Sequence, residues 1–107
     1  MRSVPFANAL VEGPDAPVGV ISIYSPEYAQ DWDEKYRKNR FEAYGVKFPT
    51  YLDLDRSYMT ELGAAGWPQF YVVDKSGNIR GEWLGEVHDN TPRAWAIRGL
   101  IDDLIEE

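Results

Sequence analysis

The stretch 66–85, Gly-Trp-Pro-Gln-Phe-Tyr-Val-Val-Asp-Lys-Ser-Gly-Asn-Ile-Arg-Gly-Glu-Trp-Leu-Gly, leaves the chain few ways to fold. Residues 70–73 are an unbroken run of aromatic and β-branched side chains and 79–84 alternate, so both read as strands. Asp74-Lys75-Ser76-Gly77 between them suits a type I turn closed by a residue at positive φ, which glycine adopts without a Cβ clash. The unit is a β-hairpin. Pro68 ahead of it cannot donate to a ladder, and Trp67-Pro68 is a bond with access to the cis isomer.

The 107 residues suffice for one core and not for two, so 1–107 reads as a single domain with 1–16 as an atypical N-terminal segment. Hydrophobic residues make up 44% and aromatics 14%, the composition of a folded globule rather than a disordered chain. A formal net charge of -7 argues against nucleic acid and against anionic membranes, since both call for a cationic surface. There is no cysteine. Disulfides, thiolate metal sites, iron–sulfur ligation and cysteine nucleophiles fall away together, and no cofactor motif takes their place. No apolar run reaches the length of a membrane span, residues 1–10 lack the apolar centre of a signal peptide, and localisation stays open.

In chain order, Pro5, Gly13, Pro14 and Pro17 punctuate the N-terminal segment, where only 6–11 can form a strand or a short helix. Residues 18–24, dominated by Val and Ile, read as a buried strand. Ser25-Pro26-Glu27 supplies a capping hydroxyl, a first-turn proline and an early acid, and Asp31-Trp32-Asp33-Glu34 repeats that logic, so the main helix starts at one or the other. Trp32, Tyr36, Phe41, Ala43 and Tyr44 give that helix an apolar face, with Lys35, Arg37, Lys38 and Arg40 mostly off it and Gly45 at its end. Residues 48–52 read as a short edge strand, and Asp55 as the cap of a helix over 56–62 that Gly63 and Gly66 terminate. Thr91-Pro92 opens the last helix, whose buried stripe is Trp95, Ile97, Leu100, Ile101, Leu104 and Ile105. Acids crowd its C-terminal end, where the helix dipole is negative, and predict a frayed tail.

Little of this carries reaction chemistry. Asp53 and Asp55 are spaced to share a hard cation, but no glycine-hinged ligand loop accompanies them, so no metal is assigned. His88, with Glu86 and Asp89 nearby, is the one histidine, and it lacks the Ser or Cys of a triad and the further ligands of a zinc site. The basic residues of 35–40 are balanced by Asp31, Asp33, Glu34 and Glu42, which makes a solvated face the reading of that cluster. No catalytic residue is assigned.

Gly66-x-Pro68, an apolar strand ending in Val73-Asp74, then Lys75-x-Gly77-x-Ile79, a second strand and Gly85 resemble the C-terminal half of thioredoxin-like proteins of the redoxin, or TlpA-like, type. Ser25-Pro26-Glu27-Tyr28 and the run 44–53 resemble the same family in the same order, so the likeness covers about residues 17–107. It implies an α/β fold, a thioredoxin-like three-layer architecture with a mixed sheet, truncated or altered at the N-terminus. It also implies that Pro68 is cis and stands beside the family's redox site. The family's thiol–disulfide activity has no cysteine here to run on.

Family members place a strand, a Cys-x-x-Cys and its helix before the position of Val18, and 1–17 is too short for all three. The strand without a counterpart is the middle one of the family's sheet, and an empty middle leaves two edges unpaired. Three segments can fill it: residues 3–11 folded back as an antiparallel strand, a segment donated by a second chain, or residues upstream of Met1 in a larger oxidoreductase. The leading expectation is a cysteine-less module that binds a protein or peptide, or another copy of itself as a homodimer or by strand exchange. Trp67 and Pro68 are its candidate binding residues, with packing over the exposed end of the core as the other role open to the Trp67 indole. The alternatives are the C-terminal part of a thiol–disulfide oxidoreductase and a small-molecule binder with an aromatic-lined cleft.

Overall fold

The computed structural model describes residues 2–12, 18–64, 66 and 68–107. Its elements run α1 (Val4–Val11), β1 (Ser22–Tyr24), a 3-10 turn (Ala29–Trp32), α2 (Glu34–Tyr44), β2 (Thr50–Leu52), α3 (Ser57–Leu62), β3 (Gln69–Val73), β4 (Ile79–Leu84) and α4 (Pro92–Ile105). The strands form two separate pairs, β1 with β2 parallel and β3 with β4 antiparallel. Among the described residues no strand joins β1 to β3.

The antiparallel pair carries the apolar core. Phe6 of α1, Val87 after β4, and Ala94 and Ile97 of α4 form its buried centre, with Phe70, Val72 and Trp83 of the hairpin packed against it. Phe6 is 1% exposed and meets Phe70 edge to face, with ring centroids 6.2 Å apart. Gly81 is where β4 passes closest, because a Cβ there would lie 2.7 Å from the Trp83 ring and 2.8 Å from Leu100. The turn is the expected one, with Gly77 at φ 86 and the Asp74 carboxylate accepting the amides of Ser76 and Asn78.

The parallel pair is held differently. Apart from Pro26, its buried groups are polar, namely Ser25, Asp31, Arg37 and Asp53, while α3 buries no residue. Asp53, 1% exposed, accepts the Ser25 hydroxyl at 2.6 Å and the Tyr58 and Met59 amides at 3.0 Å each, so it ties the end of β1 to the start of α3. Asp31 accepts the Tyr24 hydroxyl at 2.6 Å and the Glu27 and Tyr28 amides at 2.8 Å each, and the buried Arg37 guanidinium donates to its carbonyl. Buried carboxylates with several donors can organise a region that lacks apolar mass.

Helix α1 touches both halves. Phe6 enters the core of one, and Asn8 donates to the Gly45 carbonyl at 2.9 Å and accepts the Lys47 amide at 2.9 Å on the other. The radius of gyration is 14.2 Å, against about 13 Å for a tightly packed domain of this length.

The structure departs from several expectations. Residues 3–11 are not a strand completing the sheet: Val4–Val11 is a helix, with proline in its first turn and the Glu86 carboxylate bonded to the Ser3 hydroxyl and to the amides of Arg2 and Ser3. The strand expected over 18–24 is only Ser22–Tyr24, since nothing pairs with its other edge among the described residues. Ser25 does not cap the main helix, because its hydroxyl is committed to Asp53; Asp33 caps α2 instead. Asp55 and Asp53 share the start of α3, Asp55 accepting the Ser57 amide and Asp53 the Tyr58 and Met59 amides, and Arg56, in the left-handed region at φ 62, delays the helix to Ser57. Arg37, expected off the packed face, is buried, whereas Trp32 and Trp95, expected on packed faces, are exposed. The tail is anchored rather than frayed, with Glu107 taking both guanidinium nitrogens of Arg80 at 2.9 and 3.0 Å.

Candidate functional site: an open seam between two half-sheets

The inner edge of each strand pair follows from its ladder. In the parallel pair the Ser22 amide donates to the Pro49 carbonyl and the Tyr24 carbonyl accepts the Asp53 amide, so residues 22 and 24 bond toward β2. The alternation turns the amide and carbonyl of Ile23 away from β2, and those of Ile21 with them. Their side chains are also uncovered, at 42% and 72% exposure.

In the hairpin the Gly85 amide donates to the Pro68 carbonyl at 2.9 Å. The pairs Phe70 with Trp83 and Val72 with Gly81 continue that bonded set. The backbone groups of Tyr71 and Val73 therefore face away from β4, and Val73 is 54% exposed. Among the described residues, the backbone groups of Ile21 and Ile23 on one pair, and of Tyr71 and Val73 on the other, thus have no strand partner, and apolar side chains flank them. Such an edge calls for a further strand.

Tyr71 adds a second irregularity. Its hydroxyl is buried without a hydrogen-bond partner. Burial first, and the Glu82 carboxylate facing it across the hairpin second, push this phenol above its ordinary value. It stays protonated at neutral pH, a donor that lacks an acceptor.

Of the two residues singled out for binding, Trp67 lies outside the described residues. Pro68 stands at the foot of the hairpin, joined through Gly85 and Glu86 to Ser3 at the start of α1. The structure thus sets Pro68, the β4–α4 loop and the α1 N-terminus at one end of the molecule. The resemblance implied an empty middle with two unpaired edges; among the described residues the ladders assign those edges to 21–23 and to 71 and 73, which sequence alone did not specify.

The other candidates do not converge. Asp53 is spent on α3 and Ser25, Asp55 accepts the Ser57 amide, and among the described residues no cluster of acids and histidine is placed to hold a metal. His88 is exposed, with its carbonyl accepting the Thr91 hydroxyl. Arg40 lies over the Tyr36 and Tyr44 rings at 5.8 and 4.9 Å and Arg37 is buried, so of the basic cluster on α2 Lys35 and Lys38 are left as exposed lysines. An open cleft of about 240 Å³ between α1 and α4 is lined by Leu10, Val18, Arg98 and Ile101. Its cation is already engaged, since Arg98 pairs with Asp89 and lies over Phe6.

No family model matches the chain. It is 27% identical over 89 residues to Protein DipZ of Mycobacterium bovis and, equally, to that of Mycobacterium tuberculosis; the match covers 83% of this chain and 13% of the relative. The chain therefore spans a small part of the curated relatives it matches. The crystal structure of the thioredoxin-like superfamily protein SPOA0173 superposes with a TM-score of 0.79 at 22% identity, covering 97% of this chain and 69% of that one. The α/β, thioredoxin-like fold is established by this likeness, and the resemblance carried by the hairpin and its upstream segments is borne out.

Proposed function

We propose that this chain is a thioredoxin-like domain that works without a thiol of its own, by binding polypeptide along the open seam between β1 and β3. One observation carries the reading: the sheet is divided into two pairs whose inner edges have no strand partner among the described residues. A fold likeness does not transfer an activity, and the electron transfer of the resembled oxidoreductases has no cysteine to use here. Backbone pairing needs no reactive group. The end marked by Pro68 is a second contact surface in this proposal, because the residue before it in the sequence is Trp67, of the type that anchors interfaces.

A second reading is favoured by the placement of α1. The helix begins beside Pro68, the end where the resembled family carries its Cys-x-x-Cys, so the chain suits the C-terminal part of a thiol–disulfide oxidoreductase whose cysteines lie upstream. In that case the same seam is filled by the same polypeptide.

Amide exchange on this chain at high dilution tests the seam. The amides of Ile21, Ile23, Tyr71 and Val73 are expected to exchange close to the unprotected rate in the dilute monomer, while those of Phe70 and Val72 are slow. Protection of the first set in a monomer, verified by light scattering, would mean that the chain covers its own edges and would sink the proposal.

A further inference from the structure

Independently of the seam, we infer that the outward face of α4 is covered by the same face of a second copy of this chain, packed antiparallel. Trp95, Gly99, Asp102 and Glu106 follow one another at the i, i+4, i+7, i+11 spacing of a single helix face. It lies across the helix from the buried stripe of Ala94, Ile97 and Leu104, and all four residues are exposed. Trp95 is 61% exposed, and a Cβ at Gly99 would meet nothing within 4 Å. A bare stretch of helix thus lies one turn beyond an uncovered indole.

The indole is a knob and the glycine a hollow on the same helix. A two-fold interface uses one patch twice, so the patch must complement itself. With the axis set at the level of Ile97, position 95 of each copy faces position 99 of the other, and each knob meets a hollow.

Charge fixes the direction. The first turn of α4 has no acid and its last turn no base. Arg93 stands instead at the positive end of the helix dipole, and Asp102, Asp103 and Glu106 stand at the negative end, so both sets are unfavourably placed within one copy. The bases that do reach the helix end, Lys75 and Arg80, donate to the Ile105 carbonyl and to Glu107. An antiparallel copy reverses the conflict, because the acidic end of each helix comes to the basic first turn of the other. A parallel copy would set acids beside acids. On the flank, Arg98 is neutralised by Asp89 at 2.8 Å.

Size sets the strength. The helix has 14 residues, or about 21 Å of length, which suits a contact in the small class below about 1,200 Å² that associates weakly. The dimer is a species of concentrated solution, and the dilute chain is a monomer.

Light scattering of the full chain from micromolar to millimolar concentration, with amide exchange read at both ends of the series, tests the contact. The mass should rise toward that of a dimer while exchange at Ile21 and Ile23 stays the same. Trp95→Ala should raise the dissociation constant about tenfold or more. Gly99→Leu separates the contact from the fold. Its side chain enters open space in a single copy and favours helix, so the dilute chain should melt higher, while the filled hollow should weaken association about tenfold. Asp102→Asn with Glu106→Gln makes the chain less negative, so general repulsion alone would tighten the dimer; the antiparallel charge pattern instead predicts about fivefold weakening at low salt. A chain that stays monomeric at millimolar concentration overturns the proposal. A dimer that Trp95→Ala and Gly99→Leu leave intact, or one that slows exchange at Ile21 and Ile23, overturns the α4 face. Tighter association on removal of the two carboxylates overturns the antiparallel arrangement.

Discussion

Asp53 shows how much a single side chain can organise when apolar mass is scarce. Burial alone would raise its carboxyl, but the Ser25 hydroxyl, the Tyr58 and Met59 amides and the Ser57 hydroxyl outweigh that and hold it below the usual carboxylate range. A folded-state value below the unfolded one gives stability that is present above the unfolded value and is lost as pH falls through the folded one. Asp53→Asn keeps the shape but turns an NH2 toward donors, so it should melt lower than the parent at neutral pH. The gap should narrow as both proteins are acidified below the carboxylate range. Paired thermal melts decide the matter, and a gap that does not change with pH would strip Asp53 of its role as an ionised hub. Asp31 belongs to the same class, with burial again opposed by Tyr24 and by the amides of Tyr28 and Glu27. Neither carboxylate was legible as a hub, because an Asp before a helix has the same sequence appearance whether it caps that helix locally or reaches across to a hydroxyl on another strand.

Helices and strands differ in how far local sequence decided them. The hairpin was readable to within a residue because turn chemistry and β-branched runs are local, and α4 was readable from Thr91-Pro92, where the Thr91 hydroxyl accepts the Ala94 amide at 3.3 Å. Residues 6–11 were not, since a short apolar run has no periodicity that separates strand from helix. What decides α1 lies far along the chain, in Glu86 and Val87, where the Val87 amide donates to the Ser3 hydroxyl across a separation of 84 residues. The burial of Arg37 and the exposure of Trp95 escaped periodicity for the related reason that a helix face is buried only where a neighbour exists. As an element, α1 matters through Phe6. Phe6→Ala removes the ring that seats the helix against Phe70 and Ile97, and should cost about 3–5 kcal/mol in a urea titration. A loss under about 1 kcal/mol would mean that α1 is not anchored in the core.

The molecule as a whole has a core on one side and polar hubs on the other, joined by α1. Apolar burial and hydrogen-bonded carboxylates do not confer equal resistance to opening, because local stability follows buried apolar contact. Amide exchange should therefore be slower at Phe70, Val72 and across the buried face of α4 than anywhere in β1, β2 or α3. Matching rates in the two halves would show one cooperative unit instead. The division was foreshadowed by the resemblance, which left a middle strand without a counterpart, but the two separate pairs are a property of the assembled chain: composition and periodicity describe strands one at a time, and an edge exists only once its neighbours are known.

An uncovered edge on an acidic solute sets two length scales against each other. Like-charged copies of net charge -7 repel over a distance that added salt shortens, from about 10 Å at 0.1 M to about 3 Å at 1 M. The pull between bare edges acts only at contact, near the roughly 4.8 Å spacing of neighbouring strands, and salt barely touches it. On the proposed reading, ionic strength is expected to act as a colloidal control, with dispersed particles in dilute buffer and clustering ones in brine, and light scattering across a salt series checks it.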